Sequence, residues 1–208
     1  MQLTIEKLQS ILDKRGGGVL KAGGHIPPNN KKSCEFCVEE LRAYALGERW
    51  TDRPKGCTTI AAAARVLNDA AWSSNEVRTK HCLPLALLTD DSGPEGWVEQ
   101  YIIRTVREIL PIALRYIGQE ELASNCEKAE TLDDARKAAA RAAPKVAASG
   151  MVAQAWKVAT SKVVTAADVA VRTAWVVGAQ KQESPKRDEI LALGVKILIE
   201  CASPSICH

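Results

Sequence analysis

Alanine sets the limits on what this chain can fold into. It occurs 31 times in 208 residues, and 16 of those fall between Ala135 and Ala179. Alanine is the strongest helix former and a poor strand former, so the sequence predicts an all-α fold, a multi-helix bundle with long functional loops in its N-terminal third. With 46% hydrophobic residues the chain has the material for a packed core rather than a disordered polymer. The expected organisation is a single helical domain over residues 1–208. Within it, 1–93 carries the loops and the distinctive polar residues, and 94–208 is the Ala-rich helical subregion.

Helical spacing and punctuation place the elements. Residues 5–14 form an amphipathic helix capped by Thr4, and Gly16-Gly17-Gly18 ends it. A long Gly- and Pro-containing loop occupies 16–32, and loops of that length are more often functional than filler. A helix over 34–46 is expected behind Ser33, stopping at Gly47. A second loop covers 48–57, and a third helix covers 59–71. Ser73 with Glu76 reads as a capping box for a fourth helix that Pro84 ends or kinks. Helices follow at 97–117 (kinked at Pro111), 119–127, 131–143 (opened by Thr131 with Asp134 and interrupted at Pro144), 151–163, 166–179 and 185–202.

Charge is unevenly spread. Residues 1–134 carry a net −3, residues 135–181 a net +7 and residues 182–208 a net −1. A basic block suggests an anionic partner or an acidic surface on the same molecule. Lys137, Arg141 and Lys145 recur at helical spacing, but no base-reading motif accompanies them, so nucleic acid is not the expected partner. No apolar run approaches the ~18 residues of a membrane span, and the first residues do not read as a signal peptide, so a cytoplasmic protein is expected. Seven cysteines, an odd number, argue for buried thiols over a disulfide framework.

Three constellations bear on chemistry. Cys34-x-x-Cys37, Cys57 and His81-Cys82 have zinc-ligand types, but the spacing is weak and two of the thiols fall on an apolar helical stripe, so no metal is expected. Cys37 or Cys57 with His25 has the residue types of a thiol nucleophile and base, without any hydrolase signature. The third set is favoured: Gly23-Gly24-His25, Glu40, Trp50, Asp52, Arg53, Asn68 and Asp69, polar or special groups at helix ends and in the two loops. Glycines let a ligand approach backbone, Trp50 offers a stacking face, and Arg53 meets phosphate or carboxylate. Asp52, Asn68 and Asp69 offer hydrogen bonds. The competing structural reading makes 52–54 a turn and 68–69 a helix end.

The order Gly23-Gly24-His25, Cys37-x-x-Glu40, Gly47-Glu48-x-Trp50-Thr51-Asp52-x-Pro54-x-x-Cys57 and Leu67-Asn68-Asp69 resembles a group of proteins from tailed bacteriophages and actinobacterial genomes. The Ala-rich second half and the ending Ile-Leu-Ala-Leu-Gly-Val-Lys-Ile-Leu-Ile-Glu-Cys-Ala are similar to that group as well. This chain is basic in the Ala-rich part where the group is commonly acidic. The resemblance implies a viral context in a host cytoplasm and no defined reaction. By analogy it suggests a sponge that sequesters a nucleotide-derived signal of antiviral defence, a form of immune evasion.

The expectation is therefore a binding protein rather than an enzyme, needing no cofactor. Its ligand would be small, anionic and nucleotide-like, bound by His25, Glu40, Trp50, Asp52, Arg53, Asn68 and Asp69. Basic side chains of the Ala-rich half would help complete the pocket, and homo-oligomers are compatible with this. One alternative is a structural or protein-interaction module assembled through the Ala-rich helices. Another is a hydrolase using His25 with Glu40 or Asp52.

Overall fold

Thr4 accepts the Lys7 N–H at 3.3 Å and starts the first helix, α1, Ile5–Ile11. The computed structural model describes residues 3–25, 27, 34–51, 58–88, 93–148, 169 and 184–203. Two helices expected from the sequence, 151–163 and 166–179, lie outside these apart from Val169, which is helical. The described residues form helices α2 (Val38–Leu46), α3 (Thr58–Asn68), α4 (Asn75–Cys82), α5 (Trp97–Arg104), α6 (Leu110–Tyr116), α7 (Glu120–Glu127), α8 (Leu132–Ala148) and α9 (Ser184–Ala202). No strand occurs among them. The fold is all-α, and none of these helices is long and apolar enough to cross a membrane.

Several boundaries differ from the sequence reading for identifiable reasons. The second helix begins at Val38, not at residue 34, because Cys37 is its N-cap and Glu40 closes a capping box on the Cys37 N–H at 2.8 Å. The preceding residues are instead drawn into loop pairing, with Cys34 N–H on the Arg15 carbonyl at 2.7 Å. Ser74, not Ser73, caps α4, accepting from Val77 N–H at 3.2 Å. Ser73 turns away to bond Asp188 of α9 through both its backbone N–H and its hydroxyl. Pro111 does not simply kink one long helix. A π-helical turn, Thr105–Ile109, is inserted ahead of it between α5 and α6. Pro144 lies inside α8 rather than ending it. The proline and Ala140, whose carbonyl loses its intrahelical partner, are both exposed, so water can satisfy that carbonyl.

Two apolar clusters organise the packing. The larger gathers Leu8, Leu12, Leu20, Phe36, Leu41, Leu67 and Leu85 with Tyr101 and the α9 residues Leu191, Val195, Ile197 and Leu198. Each such side chain contributes roughly 1.5–3 kcal/mol on burial. The last helix thus returns to the first third of the chain, while α8 packs on α5, α6 and α7. The smaller cluster holds Ile103, Val106, Leu110 and Leu114 against Ala123, Ala135, Ala142 and Val169. Here small side chains let the helices approach closely.

Candidate functional site

α2 is buried on nearly every face, which carries the charged Glu40 into the interior at 1% exposure. A buried carboxylate must find donors, and Glu40 finds three. Its Oε1 accepts the backbone N–H of His25 at 2.5 Å, and its Oε2 accepts the Cys37 N–H at 2.8 Å and lies 2.8 Å from His25 Nδ1. A carboxylate in this setting only accepts, so Nδ1 carries the ring proton. Nε2 is the ring nitrogen that Glu40 leaves unengaged. Oε2 of the exposed Glu35 lies 3.8 Å from it.

The loop bearing His25 runs as a strap over α2, α3 and α4, and its backbone groups are met one after another. Leu20 N–H donates to Thr79 Oγ1 at 2.8 Å and Lys21 N–H to the Phe36 carbonyl at 2.8 Å. The Lys21 carbonyl accepts from Asn68 Nδ2 at 2.9 Å, and Gly23 N–H donates to Asp69 Oδ1 at 2.7 Å. Trp50 Nε1–H closes the strap on the His25 carbonyl at 3.0 Å. Gly23 has φ +82°, a left-handed conformation in which a side chain is strained.

Of the seven residues singled out from the sequence, His25, Glu40, Trp50, Asn68 and Asp69 meet on this strap. Asp52 and Arg53 lie outside the described residues. The five act mainly on backbone: Trp50 packs its ring on Phe36 and Tyr44, with centroids 5.2 and 6.4 Å away. Asn68 is fully buried, and its Oδ1 has no hydrogen-bond partner among the described residues. Arg141 and Lys145, weighed as contributors from the Ala-rich half, stand exposed on α8.

Sequence reasoning missed Arg78, Thr79 and Lys21. Arg78 is nearly buried and caps the C-terminal end of α3, its Nε donating to the Asn68 carbonyl at 2.8 Å and its Nη2 to the Ala70 carbonyl at 3.3 Å. Burial lowers its pKa from the usual arginine value. Arg78 lies one turn before Cys82, a fully buried residue, on the face of α4 that packs inward. That register was the available signal.

The described thiols are not arranged as nucleophiles. Burial raises the pKa values of Cys34, Cys37 and Cys82 above the ordinary thiol range. Cys34, Cys37, Cys82, Cys126 and Cys201 are unbridged. His81 stacks on Trp72 at 5.5 Å, and Cys57 lies outside the described residues.

An open groove of about 280 Å³ adjoins the strap, lined by Gly16, Gly17, Val19, Lys21, Cys34 and Glu35. Of its lining residues, Glu35 places Oε2 3.8 Å from His25 Nε2. A second groove, about 320 Å³, lies between α1 and α4 and is lined by Ile5, Val19, Leu83 and Pro84 with Gln9, Glu76 and Lys80 at its polar positions. Compared with protein-family models, curated proteins and solved structures, the chain matches none.

Proposed function

We propose that this chain binds a small anionic, nucleotide-like ligand in the groove beside His25. The observation that carries this reading is the pinned imidazole near an open groove: Glu40 holds Nδ1 at 2.8 Å, and Nε2 lies 3.8 Å from Glu35, which with Lys21 lines a groove of about 280 Å³. Two glycines in the lining let a ligand approach backbone closely, and the volume is near the lower end of small-molecule sites. Lys21 would meet the negative charge and His25 Nε2 a hydrogen-bonding group. Trp50, Asn68 and Asp69 support the contact by fixing the strap. With the resemblance to tailed-phage proteins, capture without turnover, as by a sponge for a signalling nucleotide, is the favoured form.

Calorimetric titration with a panel of mononucleotides and cyclic dinucleotides tests this. Lys21→Gln and His25→Gln should each weaken binding at least tenfold, equivalent to about 1.4 kcal/mol, with the Lys21→Gln melting temperature unchanged. Failure of every panel member to bind, or unchanged affinity in both variants, would overturn it.

The same dyad favours one second reading, a hydrolase in which His25 Nε2 takes a proton from attacking water while Glu40 orients the ring. Chromatography of the panel after incubation separates the two: intact compounds support capture, whereas fragments whose formation needs His25 support hydrolysis.

A further inference from the structure

We propose that the ligand site is bipartite: the base of a nucleoside phosphate lies in the apolar groove between α1 and α4, and its phosphate reaches across the Gly17–Gly18 turn to Lys21. This rests on the ligand-binding reading above and adds to it the place where the base is held.

The glycine turn joins the two grooves. Val19 lines both, Gly17 lines the groove that holds Lys21, and Gly18 lines the one between α1 and α4. Gly17 and Gly18 have φ +65° and +81°. Two successive left-handed residues without side chains leave bare backbone between the grooves, where a ligand can pass at close range. A Cβ on Gly17 would meet nothing within 4 Å, so the space beside it is open. The turn itself is held in place. Gly18 N–H donates to the Leu12 carbonyl at 3.0 Å, and Gln9 Nε2 donates to the Gly18 carbonyl at 3.2 Å. Taken singly, the grooves of about 280 and 320 Å³ stand at the lower limit of small-molecule sites, roughly 300 Å³. Joined, they fall well inside that range.

The grooves differ in chemistry as the two ends of a nucleotide do. Ile5, Val19, Leu83 and Pro84 give the α1–α4 groove an apolar wall. A flat base needs such a surface, and Trp50, expected to supply it, has its ring packed on Phe36 and Tyr44. Glu76 stands exposed on the same groove. Its pKa is lowered by hydrogen bonds from the Ser74 side chain and its own backbone, and less by the charge of Lys21. Its carboxylate is thus an acceptor for an amino or imino N–H of the base. Lys21 is within electrostatic reach of Glu76 although the two line different grooves, so a ligand of nucleotide length can touch both. Lys80 follows Glu76 by one turn of α4 on the same groove. At the phosphate end, burial raises the pKa of Cys34 on the groove wall, and the charge of nearby Arg15 opposes the rise. Arg15 therefore adds positive charge beside Lys21. Glu35, the carboxylate of that lining, is 63% exposed, where water and salt screen its repulsion.

Calorimetry of the full chain with adenosine and guanosine monophosphates, their nucleosides and ribose 5-phosphate tests the assignment on wild type, Lys21→Gln and Glu76→Ala. At least one mononucleotide should bind wild type at least tenfold more tightly than ribose 5-phosphate. Glu76→Ala should remove most of that margin and leave ribose 5-phosphate no weaker. Lys21→Gln should weaken the mononucleotide and ribose 5-phosphate alike. Photolabelling of wild type with the 8-azido derivative of the mononucleotide, mapped by peptide mass spectrometry, should mark residues 5–9 or 79–84. Equal binding of mononucleotide and ribose 5-phosphate, both weakened by Lys21→Gln, overturns the base groove and leaves the ligand-binding reading standing. Labels confined to residues outside the α1–α4 groove overturn it as well. A nucleoside that binds as tightly as its monophosphate, unaffected by Lys21→Gln, overturns the reach to Lys21 and removes the anionic reading. Failure of every compound to bind overturns both.

Discussion

Glu40 and Arg115 each gather a set of charge-assisted hydrogen bonds, one in the interior and the other at the surface. Glu40, at 1% exposure, accepts from two backbone N–H groups and a histidine ring. Arg115, with 41% of its side chain exposed, donates to Glu120 at 2.9 Å and to Glu127 at 2.6 and 2.8 Å. The bond lengths are alike, but the alternatives are not. When Glu40 is lost, two backbone donors must find new partners in or near the core. When Arg115 is lost, water solvates both glutamates. The strap region is thus specified by directional bonds between residues far apart in sequence. The α6–α7–α8 region is specified by small apolar side chains, with its ion pairs as surface trim.

Removing the interior carboxylate tests this contrast most severely. Hydrogen bonds to charged groups are worth about 1.5–3 kcal/mol each and do not add fully, so Glu40→Ala should cost ~3–5 kcal/mol in urea unfolding. Part of that cost is the capping box of α2. A loss below about 1 kcal/mol would mean that the strap is not anchored through Glu40.

The next effect belongs to Arg78. Arg78→Met keeps the apolar stem and removes the donors to the Asn68 and Ala70 carbonyls. Leaving buried acceptors unpaired costs about 1–3 kcal/mol, so the variant should lose roughly 2–3 kcal/mol. Hydrogen exchange should show the loss first at the end of α3 and in the strap. A loss confined to global unfolding, with no local change there, would contradict the assigned role.

The contrast between the two regions also explains what could be read without coordinates. Local features were legible: the Thr4 cap, the Thr131–Asp134 box, with Asp134 N–H on Thr131 Oγ1 at 3.1 Å, and the stop at Gly47, where φ is +72°. Each depends on residues within a turn of one another. Five of the seven residues singled out from the sequence, as polar or special groups at helix ends and in the two loops, meet on the strap. Their partners were not legible, because Gly23–Asp69 and Leu20–Thr79 join residues 46 and 59 positions apart, beyond any periodic pattern. The choice of Ser74 over Ser73 depended on Asp188, 115 residues away from Ser73. The inserted π turn between α5 and α6 has no residue signature beyond the neighbouring Pro111.

Gly23 probes the strap without removing any side chain. A Cβ there meets nothing within 4 Å, so only the backbone conformation opposes it. Holding a side chain in the left-handed region costs roughly 1–2 kcal/mol, and Gly23→Ala should be destabilised by that amount. Gly23→Asn, which tolerates this region better, should be destabilised less. Equal losses in the two would point to a steric cause and away from φ.

The smallest effect is expected at Arg115. Exposed ion pairs contribute little and are screened by salt, so Arg115→Ala should leave the melting midpoint unchanged within error at physiological ionic strength and lower it only in low salt. The sign of the pH dependence follows from Glu127, whose pKa is lowered from 4.5 chiefly by its hydrogen bonds with Arg115. A lowered carboxyl stabilises the fold above its unfolded pKa, and that contribution fades as pH falls through the folded value. Any low-salt difference between Arg115→Ala and wild type should therefore be largest near neutral pH and shrink on acidification below the ordinary glutamate range. Thermal melts of both proteins at two salt concentrations and across that acid range measure it. A loss at Arg115 as large as that at Gly23, insensitive to salt, would show that the α6–α7 corner is held by directional bonds as firmly as the strap, and the distinction between the two regions would fail.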